Sequence, residues 1–138
     1  MIKSPIIAKN INGVPIFGPI SFFQIPEDEI RLLYNGCGSG NIGSKITPDS
    51  MYGLDISMLC NIHDHMYENC TCEQDEIEAD AILSANLITL ITTKSTGILK
   101  WLRLFRATKY IVAVSATTFS EEFWEINKNK RGYNGDCY

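Results

Sequence analysis

At 138 residues and 15.5 kDa the chain suits one domain rather than two. Its 45 % hydrophobic and 20 % charged composition excludes disorder as a description of the whole. A net charge of −4 lacks the strongly basic face that nucleic acid requires, so no nucleic-acid partner is expected. Charge is nonetheless segregated: Asp64 to Asp80 holds seven acids and no Lys or Arg, whereas Lys94 to Lys109 holds five bases and no acid.

Residues 1–25 read as an extended arm packed on the domain, with a short hairpin possible at the turn signal Asn12-Gly13. Pro26-Glu-Asp-Glu opens a first helix, with Pro at its first position and acids at the positive end of its dipole; it stops at Asn35-Gly36. Four glycines in 35–46 make a loop whose backbone takes positive φ or approaches something closely. Thr47-Pro48 then predicts the start of a second helix running to about Asn69, with Gly53 as a tolerated weak point. A third helix is expected over roughly Cys72 to Thr93, and a fourth over Ile98 to Asn127. The tail after it is polar, and mobile unless Cys137 ties it down. The expected class is all-α, mainly helical, with a glycine loop feeding the central helix. No signal peptide and no membrane-spanning helix are expected.

The chemistry concentrates in Cys60-Asn-Ile-His63-Asp64-His65-Met66-Tyr67. At about 100° per residue Cys60, His63, Asp64 and Tyr67 share one helical face, and His65 points elsewhere. Asp80, Leu83, Leu87 and Ile91 form a stripe on the third helix. Folding that helix back through a short turn sets Asp80 against the middle of the second, with Asp75 as the fallback partner. An imidazole between a carboxylate and a proton to be removed is a general base, because the carboxylate fixes its tautomer and stabilises the cation that forms. Asp64 and a loop presenting backbone carbonyls are hard oxygen donors that suit Ca²⁺. Set against this, Cys60, His63, His65, Cys70 and Cys72 form a Cys/His cluster of the kind that binds zinc, although His63 and His65 diverge on a helix.

Tyr34-Asn-Gly-Cys37-Gly38-Ser-Gly40 resembles the calcium loop of secreted phospholipases A2, and Cys60-x-x-His63-Asp64-x-x-Tyr67 resembles their active-site helix. Asp80-x-x-Leu83-x-x-x-Leu87 is similar to the helix carrying their second carboxylate. The strong likeness spans about residues 34–90, and its short Tyr67–Asp80 interval looks most like bacterial members. The resemblance implies one phospholipase A2-like domain over 1–138, with two antiparallel catalytic helices within 34–90 and a C-terminal helical part over 98–127. It implies calcium-dependent hydrolysis of the sn-2 ester of glycerophospholipids, releasing fatty acid and lysophospholipid. His63 would be the general base for water, oriented by Asp80, with Tyr67 supporting Asp80. Asp64 and the carbonyls of Gly36, Gly38 and Gly40 would hold Ca²⁺, and the Gly38 N–H would serve the oxyanion. Cys37 and Cys60 would form a disulfide. The partner implied is a phospholipid membrane surface met peripherally by a monomer. The reactive product and the calcium requirement suggest action outside the producing cell, as a delivered toxin held beforehand by an inhibitory protein partner. The alternatives are a catalytically silent phospholipase-like module and a zinc-stabilised domain.

The fourth helix poses a separate question. Trp101, Leu102, Leu104 and Phe105, interspersed with Lys100, Arg103, Arg106 and Lys109, suit either an anionic membrane surface or a core helix with snorkelling bases.

Overall fold

The computed structural model describes residues 3–34, 36–37 and 50–119, the last four by backbone alone. Within them the protein is mainly helical, with two small hairpins. The first pairs β1 (Ile6–Ile11) with β2 (Val14–Pro19), antiparallel, in the register Ile6↔Pro19 to Ile11↔Val14. Asn12 and Gly13 both take positive φ, as the tight two-residue turn demands, and Asn10 Oδ1 accepts the Gly13 N–H at 2.8 Å. The expected extended arm is therefore a hairpin followed by a single helical turn, α1 (Ile20–Phe23), because Val14, Ile16 and Phe22 enter the core. Helix α2 (Glu27–Leu33) starts behind Pro26 as its acidic first turn predicts.

The second hairpin corrects an expectation. Residues 50–55 are not helical; β3 (Ser50–Met51) and β4 (Leu54–Asp55) pair across a turn in which Tyr52 and Gly53 both have positive φ. Gly53 is thus the pivot of a turn, where positive φ comes without a Cβ penalty. The turn is held from outside. Arg103 Nε donates to Met51 O at 3.0 Å, Nη2 to Tyr52 O at 2.7 Å and Nη1 to Ser95 Oγ at 2.7 Å. Helix α3 (Ser57–Glu68) begins only after Asp55, whose Oδ1 accepts from both the N–H and the hydroxyl of Ser57.

A four-residue connection, 69–72, folds α4 (Glu73–Lys94) back on α3, and α5 (Gly97–Phe119) packs on α4 in turn. One core joins them: Val14, Ile16 and Phe22 from the first hairpin region, Ile56, Leu59 and Ile62 from α3 and its start, Leu83, Leu87 and Ile91 from α4, and Ala107 from α5. Gly18 marks the closest approach of β2, since a Cβ there would lie 3.1 Å from the Phe23 ring and 3.3 Å from Ile62. Asn86, fully buried in the middle of α4, clamps the outer edge of β2. Its Oδ1 accepts from Phe17 N–H and its Nδ2 donates to Phe17 O, both at 2.8 Å. No helix among the described residues is long and apolar enough to cross a membrane.

Arg103, grouped by sequence with the surface bases, is 8 % exposed and structural. Replacing it with Met keeps the stem but strands two carbonyls and a hydroxyl, and a hydrogen bond to a charged group contributes about 1.5–3 kcal/mol. Arg103→Met should cost about 3 kcal/mol or more in urea unfolding. A loss below about 1 kcal/mol would show that these contacts do not hold the second hairpin.

Candidate functional site

The site lies where α3 and α4 face each other. His63 and Asp80 are both nearly buried, and His63 Nε2 sits 2.7 Å from Asp80 Oδ1. Tyr67, one turn along α3, donates its hydroxyl to the same oxygen at 2.8 Å, and its ring centroid lies 4.3 Å from the imidazole. An ionised carboxylate can only accept, so the His63 proton resides on Nε2 and Nδ1 keeps its lone pair. Nδ1 makes no hydrogen bond among the described residues. Asp80 Oδ2 is buried and likewise has no partner among them. Asp75, the fallback, is engaged elsewhere: it accepts from Lys3 Nζ at 2.8 Å and from the Thr71 N–H and hydroxyl.

Asp64 stands beside His63, half-buried, and its carboxylate accepts no hydrogen bond among the described residues. Burial pushes its carboxyl up from 3.8 to about 6, opposed by the neighbouring His63 and reinforced by Glu68. A half-buried carboxyl with no donor among the described residues either holds its proton or is favoured as the anion by a neighbouring cation. Gly36 has φ +76° and its N–H donates to Asn61 Oδ1 at 2.9 Å, which ties the start of the glycine loop to α3. Cys37 and Cys60 are disulfide-bonded, a second tie one turn before His63. Gly38 and Gly40 lie outside the described residues, as do Asn127 and Cys137.

The zinc-type cluster is not assembled. Cys60 sulfur is in the disulfide, Cys72 is also disulfide-bonded, and His63 and His65 point to different partners. Among the described residues no group of three His, Cys, Asp or Glu is placed to hold a metal.

His65 organises a second polar network that the sequence did not reveal. Tyr34 Oη donates to Glu68 Oε2 at 3.0 Å and lies 2.8 Å from His65 Nδ1, while His65 Nε2 lies 2.9 Å from Ser21 Oγ. Because Tyr34 gives its proton to Glu68, it accepts from His65 Nδ1–H, and Nε2 accepts from Ser21. Burial holds His65 below the ordinary histidine value, against the pull of Glu68, in keeping with a neutral ring. Burial and Glu68 push the Tyr34 hydroxyl upward, which keeps it a donor. The two histidines thus carry their protons on opposite nitrogens: His63 is left open, and His65 is used to pin α3 to α1 and to the end of α2. Tyr34 before the glycine loop was the sequence signal for this network, since a buried tyrosine hydroxyl needs a partner.

No family model matches the chain, and neither a curated protein nor a solved structure does.

Asp64 carries a pH signature. Its folded value lies above its unfolded one, so its charge opposes folding fully above about pH 6 and not at all below about pH 4. In chelator, Asp64→Asn should therefore be more stable than wild type by about 1–2 kcal/mol above pH 6, after allowing for solvent screening. The difference should vanish towards pH 4, and calcium should stabilise wild type only. Equal stability across that range would show that the carboxylate is at ease without a cation.

Proposed function

We propose that the protein is a small, calcium-dependent phospholipase A2-like ester hydrolase. One observation carries the reading: a buried imidazole is fixed through Nε2 by a carboxylate, and beside it stands a half-buried carboxylate, neither Nδ1 nor that carboxylate having a hydrogen-bond partner among the described residues. The same residues carry the sequence likeness to secreted phospholipases A2. Ca²⁺ held by Asp64 with carbonyls of the Gly36–Gly40 loop would polarise the ester carbonyl and the neighbouring phosphate.

The chain's own residues do the rest. His63 Nδ1 takes a proton from water as the water oxygen attacks the sn-2 carbonyl carbon. Asp80 holds the ring in the tautomer that makes this possible and stabilises the imidazolium, and Tyr67 holds Asp80. The proton on Nδ1 then passes to the departing lysophospholipid oxygen, so the ester C–O bond breaks with no covalent enzyme intermediate. The Gly38 N–H would serve the oxyanion. The Cys37–Cys60 disulfide favours an oxidising compartment and so supports action outside the producing cell.

Vesicles of a phosphatidylcholine with different acyl chains at its two positions test the reading. With calcium, only the sn-2 fatty acid should appear, and chelator should stop its release. Asp80→Asn should lower the rate about 10²-fold or more, because it loses the charge that stabilises the imidazolium and its amide N–H can donate to Nε2, favouring the wrong tautomer. Tyr67→Phe should cost about tenfold or less, since Asp80 keeps its bond to His63. Calcium-dependent vesicle binding without release of either chain would instead establish the catalytically silent module.

A further inference from the structure

Helix α5 turns one side to the core and the other to solvent. The core side carries Arg103 and Ala107, with Tyr110 and Val114 packed against the buried cluster. About half a turn away lie Ile98, Trp101, Phe105 and Val112, within about 60° of one another at 100° per residue. They are 79 %, 69 %, 64 % and 61 % exposed. The outward side of a surface helix is ordinarily polar, and a contiguous apolar patch there marks an interaction surface.

Two observations identify its occupant. The first is charge. The chain is net −4, yet residues 81–119 hold five bases and no acid; with Arg103 internal and Lys94 bound to Asn12 O, Arg106 and Lys109 lie along one side of this patch. The second is how those bases are held. Lys109 Nζ lies 4.7 Å from the Phe105 ring centroid and Arg106 lies 5.6 Å from that of Tyr52. Both line a cavity of about 290 Å³ with Met51, Tyr52, Phe105 and Tyr110. Cations fixed beside an aromatic ridge match phosphate groups lying above an acyl layer, with the alkyl stems following the apolar surface. A second copy fits poorly, because a twofold contact through this face would oppose the bases of one copy to those of the other.

We propose that this face of α5 seats the protein on a bilayer bearing anionic lipid. Ile98, Trp101, Phe105 and Val112 enter the boundary between headgroups and acyl chains, and Arg106 and Lys109 meet lipid phosphates. Binding stands on this face alone; its service to hydrolysis rests on the phospholipase reading.

Sedimentation of the full chain with vesicles in chelator separates the two, since neither calcium bridging nor turnover then contributes. Wild type should bind phosphatidylglycerol–phosphatidylcholine vesicles and prefer them to phosphatidylcholine alone. Trp101→Ser with Phe105→Ser should weaken binding about tenfold or more, and Arg106→Glu with Lys109→Glu should abolish the preference for the anionic lipid. Both pairs should retain the wild-type thermal midpoint and hydrolyse a dissolved short-chain phospholipid within about twofold of wild type when calcium is restored. Unchanged vesicle binding by folded variants overturns the proposal. So does a wild-type dimer in vesicle-free solution that either pair dissociates. Vesicle binding without hydrolysis of any phospholipid leaves the proposal standing and removes the phospholipase reading.

Discussion

A single hydrogen bond, His63 Nε2–H to Asp80 Oδ1 at 2.7 Å, sets the requirement that the surrounding architecture meets. It joins two helices through side chains that are both nearly buried, so each partner needs the other: an imidazole and a carboxylate withdrawn from water are costly unless paired. To keep that pair in register, α4 must return along α3 after only four residues, and Leu83 and Leu87 must pack below it. Tyr67 completes the arrangement by donating to the same carboxylate oxygen.

Polar ties brace this helix pair and the elements packed on it. Asn86 holds α4 to the edge of β2, the His65 network holds α3 to Ser21 and Tyr34, and Arg103 holds α5 to the second hairpin. The Cys37–Cys60 disulfide and the Gly36–Asn61 hydrogen bond anchor the glycine loop at the turn of α3 preceding His63. Together these ties fix geometry as well as contributing stability. Asp64 and the second oxygen of Asp80 differ, having no partner among the described residues. Burial of the Asp64 carboxylate costs folding energy at neutral pH, a cost of the kind that functional sites carry.

The candidate constellation was legible because it is periodic. Cys60, His63, Asp64 and Tyr67 share a helical face by spacing alone, and Asp80 is marked by the apolar stripe it heads. The structure brings His63, Tyr67 and Asp80 together and places Asp64 alongside. What was not legible is non-local. Residues 50–55 carry no strong strand pattern, and their turn depends on an arginine some fifty residues away, whose guanidinium uses carbonyls that a helix would have used. The same contact removed Arg103 from the surface bases. Ser21, Tyr34 and His65 share no periodicity, so although Tyr34 signals a buried hydroxyl in need of a partner, only the packing of three elements shows which partners it takes. The first hairpin was announced by Asn12-Gly13 alone, because the segment around it lacks strict alternation.

The proposed chemistry requires His63 to act as the base at a site that binds calcium independently of it. Calcium binding by titration calorimetry and fatty-acid release from mixed vesicles, both on wild type and His63→Gln, decide this. The variant should bind calcium as wild type does and release no fatty acid. Wild-type release by a calcium-loaded His63→Gln would contradict it.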